Sequence, residues 1–70
     1  MDPALADLLA HYRSLSAQMR EDADALEAGR WRLYDGPGHD HDISKEWAAL
    51  KRSQADKLDQ IVAAYEAKNA

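Results

Sequence analysis

Leu5, Leu8, Tyr12, Leu15, Met19 and Leu26 recur at alternating three- and four-residue steps, the period of one face of an α-helix. In heptad terms Leu5, Tyr12, Met19 and Leu26 take a positions, and Leu8 and Leu15 take d positions. Asp22 interrupts the pattern by placing a carboxylate at a d position. Asp2 suits an N-cap, and Pro3 suits the first helical position, where its missing N–H costs nothing. Gly29 can adopt the left-handed conformation that ends a helix, so the pattern predicts a helix over 3–28. A competing reading runs the helix through Gly29 to Leu33 and stops it at Asp35-Gly36-Pro37-Gly38. The mid-helix glycine would cost only about 1 kcal/mol relative to alanine. The stretch Arg30-Trp31-Arg32-Leu33-Tyr34 alternates polar and apolar residues, which suits an extended segment and favours the break at Gly29.

Ile43, Trp47, Leu50, Gln54, Leu58, Ile61 and Tyr65 step by three or four residues and predict a second helix over 43–68. Asp42 or Ser44 can cap it, and Glu46 in its first turn complements the helix dipole. The consecutive four-residue steps around Gln54 locally unwind a left-handed supercoil. The expected fold is therefore all-α: an antiparallel two-helix hairpin in one domain spanning 1–70, with a 14-residue connection over 29–42. Two registers fit. In one, facing residue numbers total about 73, which sets Leu15 against Leu58, Leu8 against Tyr65, and Asp22 beside Lys51 as an ion pair. In the other, one helical turn away, they total about 77 and Tyr12 meets Tyr65.

Composition sharpens this picture. The apolar fraction is 46% of 70 residues, yet much of it is alanine, so few large side chains remain for a core. Two helices each burying one stripe are a thin basis for a stable small domain. Leu9 beside Leu5 and Leu8, and Val62 beside Ile61, broaden the apolar surface beyond a single seam. Alanines at 48, 49, 55, 63 and 64 leave room for another helix. Self-association of two hairpins into a four-helix bundle is the expected solution, with Leu5, Leu9 and Val62 in the covered face.

The net charge of −4 and the absence of cysteine exclude disulfides and thiolate metal sites, and they argue against broad electrostatic affinity for nucleic acid or anionic membranes. No apolar run approaches a membrane span, and Met1-Asp2-Pro3 lacks the basic start of a signal peptide. The expectation is a soluble cytoplasmic protein, with alanine and arginine usage typical of a GC-rich bacterial genome.

The connection is longer than a helical hairpin requires. Trp31, Leu33 and Tyr34, near Ile43 and Trp47, are expected to form an aromatic plug over the helix ends. The same loop offers Arg30, Trp31, Arg32 and Tyr34 as a recognition patch, residue types enriched in interface hot spots. His39-Asp40-His41-Asp42 is the one run with metal-ligand types. In an extended strand His39 and His41 point the same way, but no further ligand set completes a structural zinc site. Ser14, Ser16, Ser44 and Ser53 show no spacing with a base and an orienting acid, and Gly36-Pro37-Gly38 lacks the lysine of a phosphate loop. No cofactor motif is present. His11 reads as a boundary residue flanking the seam.

The early His11-x-x-x-Leu15, the Gly-rich turn, and a second helix carrying Leu50-Lys51-Arg52 and Lys57-Leu58-Asp59 make the layout faintly similar to the YdcH-like small bacterial helical hairpins. The departures are a much longer loop and a second helix whose basic character is diluted by Ala55, Asp56 and Gln60. The chain is not assigned to that group, and the similarity implies no activity. The functional expectation is a non-enzymatic interaction or scaffold protein that pairs with itself and with a further protein. Two alternatives stand beside it: a nucleic-acid-associated factor using Arg13, Arg20, Arg30, Arg32 and the loop aromatics, and a metal-responsive element working through His39 and His41.

Overall fold

The structure is a computed structural model that describes residues 1–69, without the side chain of His39. The first helix, α1, spans Pro3–Ala28. Asp2 accepts the Ala4 N–H at 2.9 Å, and Pro3 occupies the first turn. The helix ends where the glycine predicted. Gly29 sits at φ 80°, its N–H reaches Leu26 O at 3.3 Å, and Arg30 N–H reaches Ala25 O at 2.9 Å. These paired bonds satisfy two carbonyls that the helix would otherwise leave open.

The connection is folded, which corrects the purely helical expectation. Strand β1 (Tyr34–Asp35) pairs antiparallel with β2 (His41–Asp42), with Tyr34 opposite Asp42 and Asp35 opposite His41. A 3₁₀ turn at Pro37–His39 joins them. Gly36 at φ 92° and Gly38 at φ 77° flank a proline of fixed φ, so the chain reverses within a few residues at little steric cost. The second helix, α2, spans Ser44–Lys68, one residue shorter at its start than expected. Asp42 accepts the Ser44 N–H at 2.9 Å. The Ser44 hydroxyl, itself buried, accepts the Leu33 N–H at 2.9 Å, and Ile43 N–H returns to Leu33 O at 2.9 Å. Leu33 is thereby fixed to the start of α2 and packs on the core cluster of Ala23, Leu26 and Ala48.

The helices meet on small residues. Among the described residues, those buried at seven-residue spacing are Leu9, Ser16 and Ala23 on α1, and Ala48, Ala55 and Val62 on α2. Ser16 Oγ contacts Ala55 O, and Ala23 lies in one cluster with Ala48, which sets the seam two residue numbers below the expected total of 73. The register one turn away is not adopted. The Asp22–Lys51 pair expected of the first register is present at 3.4 Å.

This seam overturns part of the expected face. Leu9 and Val62 are only 2% and 4% exposed inside the hairpin, so neither is available to a second molecule. Leu5 is partly covered. Leu8, Leu15, Trp47, Leu50, Ile61 and Tyr65, placed by their heptad pattern in the contact, instead remain substantially exposed. The reason is steric: alanine and serine let two helix axes approach more closely than leucine does, and burying them costs little side-chain entropy. Ala48 and Ala55 do admit a neighbouring helix, but that neighbour is α1 of the same chain.

The product is a rod of 50 × 21 × 15 Å with a Cα radius of gyration of 15.6 Å, against about 11 Å for a rounded domain of this length. Its accessible surface of 5012 Å² exceeds the roughly 4,400 Å² typical of a folded monomer of this mass. Leu9 and Leu26 are the large apolar side chains among the described residues that are almost wholly enclosed.

Candidate functional site

The seam residues divide each helix into two flanks. On α1, positions four after a seam residue are Arg13, Arg20 and Glu27; on α2 they are Arg52, Asp59 and Glu66. Because the helices run antiparallel, these rows emerge on the same broad side of the rod. There they form a ladder of ion pairs. Arg13 bonds Glu66, Arg20 reaches Asp56 at 2.7 Å and Asp59 at 2.8 Å, and Arg52 reaches Asp24 at 2.6 Å and Glu27 at 2.9 Å. The Ser16 hydroxyl, at the seam, donates to Asp59 at 2.7 Å. That hydrogen bond, aided by Arg20, holds the Asp59 carboxyl below its ordinary pKa. The Arg52 hydrogen bond does the same for Glu27, and the two carboxylates push the Arg52 guanidinium upward.

The opposite broad side carries the other flank. It includes Leu8, Leu15 and Asp22 from α1 and Trp47, Gln54 and Ile61 from α2, with Lys51, Leu58 and Tyr65 between them and the seam. Leu50 stands on its outer shoulder. This side is largely apolar, broken by Gln54 and by Asp22 and Lys51. Asp22 also accepts from Gln18 at 2.9 Å, and the Asp22 and Lys51 side chains retain only 16% and 23% of their exposure. A charge pair thus sits half-enclosed in a largely apolar surface.

At the closed end the apolar side runs into a cleft of about 580 Å³ lined by Trp31, Leu33, Tyr34, Asp35, Ile43, Trp47 and Lys51. Trp31, Tyr34 and Trp47 are each about half exposed, so the expected aromatic plug is replaced by a smaller one. Leu33 packs onto the cluster at the helix ends, and the aromatic rings frame an open cleft beside it. The reason is the ribbon: its backbone bonds to Ser44 and Ile43 bring Leu33 inward and leave its aromatic neighbours at the rim.

The expected recognition patch is therefore split. Trp31 and Tyr34 line the cleft, whereas Arg32 lies in a separate depression with Asp42, Ser44, Lys45 and Glu46. Hydrogen bonds from Ser44, and less so the Arg32 charge, hold the Asp42 carboxyl below its ordinary pKa. Arg30 is exposed just past the end of α1. His41 is exposed on β2, across from Asp35; the His39 side chain, the other half of the suggested metal pair, lies outside the described residues. Among the described residues no group of three or more His, Asp or Glu side chains converges as a metal site would require. Arg13 and Arg20, invoked for nucleic acid, are engaged with carboxylates. His11 is exposed with its ring 6.3 Å from that of Tyr12.

Two buried serines do structural work that the spacing of serines alone did not reveal. Ser16 joins the seam to Ala55 and Asp59, and Ser44 ties the loop to α2. The signal that could have found the first was the seven-residue series Ser16–Ala23 facing Ala48–Ala55. Among the described residues no helix is long and apolar enough to cross a membrane. Comparisons with protein-family models, curated proteins and solved structures find no match to this chain.

Proposed function

We propose that this chain is a non-enzymatic association module that pairs with a second copy through its apolar broad side, forming a four-helix bundle, and offers its loop to a further protein. The observation carrying this reading is the segregation of the two sides: large exposed apolar groups gather on one, and the arginine–carboxylate pairs gather on the other. A random surface scatters such leucines singly, whereas a contiguous apolar face marks an interface. The 50 × 21 Å dimensions accommodate the ~800 Å² per partner of a stable complex. Burial there also supplies the core that one alanine-lined seam does not. Trp31 and Tyr34 are the contact residues proposed for the further protein, by their exposure at the cleft rim.

A double variant, Leu8→Glu with Ile61→Glu, tests the reading. Light scattering should fall from twice the chain mass to the chain mass while helical circular dichroism persists at matched protein concentration. A mass unchanged from wild type would remove the apolar side from the interface.

A further inference from the structure

From the half-enclosed Asp22–Lys51 pair we infer the geometry of the dimer: two hairpins lie face to face with their closed ends together, and Asp22 of each copy meets Lys51 of the other. The inference rests on the proposed pairing through the apolar side and adds the orientation, the exchanged charges and their consequence for the loop.

Two face-to-face arrangements have two-fold symmetry. With the axis along the rod, α1 of one copy lies over α2 of the other, and residues at one level remain at that level. Asp22 and Lys51 share a level, being bonded to each other at 3.4 Å. Asp22 therefore lands opposite Lys51 of the partner copy, and the four groups form a square of alternating charge. With the axis across the rod, α1 stacks on its own copy and α2 on its own copy. No sliding of that arrangement sets Asp22 directly opposite Lys51 of the partner copy. At one offset Asp22 meets its own copy and Lys51 its own copy; at others they are pressed against leucine and isoleucine rows.

Like charges facing each other, or charges desolvated against apolar groups, are both costly, while an alternating square keeps each ion partnered. The apolar rows agree. In the closed-ends-together dimer Leu8 and Leu15 face the Tyr65 and Leu58 row, and the two Trp47-lined clefts meet at one end. That end then presents two copies of the Trp31 and Tyr34 rim side by side, so a protein carrying two matching motifs would engage both loops with the gain of a bivalent contact.

The chain has no cysteine, so single spin labels are easily placed. Asp40→Cys at the exposed loop and Asp7→Cys near the open end, each labelled in the full chain, give intermolecular distances by pulsed dipolar spectroscopy. Closed ends together predicts both label pairs within about 37 Å, the diagonal of a section 21 Å wide and twice the 15 Å thickness of the rod. A dimer in which both label pairs lie near the 50 Å rod length would overturn the orientation and leave the pairing intact. A monomeric mass with no intermolecular coupling for either variant would overturn the pairing itself.

Discussion

One broad side of the hairpin satisfies its side chains within the chain: Arg13, Arg20 and Arg52 each find carboxylates on the opposite helix. The other side, built from the same two helices one row further round, leaves Leu8, Leu15, Ile61 and Tyr65 facing outward. The difference originates in the seam. Where helices meet on Ala23, Ala48 and Ala55, long arginines on one flank can straddle the close contact, while leucines on the other flank can cover only its margin. A tight seam of small residues thus folds the hairpin and leaves its larger apolar groups available for a second association.

The comparison breaks most completely at the seam's closed end. Leu26→Ala removes the nearly wholly enclosed large apolar side chain beside Ala23 and Ala48 and should cost about 2–5 kcal/mol, visible as lost helicity in urea titration. Ala23→Leu tests the same contact from the opposite direction. Overpacking there should cost roughly 1–3 kcal/mol and shift the urea midpoint downward. A midpoint that does not move would mean the axes are not held together by small residues. Leu15→Gln, one row away on the apolar side, should change the midpoint of the isolated hairpin by no more than about 0.5 kcal/mol while raising the concentration at which two copies separate.

The ion-pair side should respond least to substitution and most to solvent conditions. Arg52→Gln should lower the melting temperature slightly at low salt, with the difference vanishing as salt screens the exposed charges. Asp59 and Glu27 have folded pKa values below their ordinary 3.8 and 4.5. Their contribution is therefore complete above those ordinary values and is lost as pH falls through the lowered ones. Melting temperature should be flat from neutrality to about pH 5 and decline below pH 4. Arg52→Gln should flatten the part of that decline due to Glu27. A decline beginning above pH 6 would place the responsible groups elsewhere.

Much of this was legible in the chain. Asp2, Pro3 and Gly29 fixed the limits of α1 through local backbone chemistry, and the three- and four-residue steps announced both helices. The Asp22–Lys51 pair followed from one of the two registers in which the apolar rows of the helices face each other. The facing rows were misread because leucines at a and d positions outweighed a quieter series of alanine and serine at the same spacing. Hydrophobic size says which residues prefer burial, but closeness of approach decides which are buried first. The loop ribbon escaped for a different reason: two residues per strand is too short for alternation to register, and its pairing depends on tertiary bonds from Leu33 to Ser44 and Ile43. The split between Arg32 and the Trp31–Tyr34 rim follows from that ribbon and carries no separate sequence signature.

Sedimentation equilibrium of the wild-type chain over a micromolar concentration series tests the two-sided account most directly. It predicts a mass approaching twice 7.8 kDa as concentration rises, with the dissociated species at the dilute end. A fully helical chain that stays at 7.8 kDa throughout the series would contradict it.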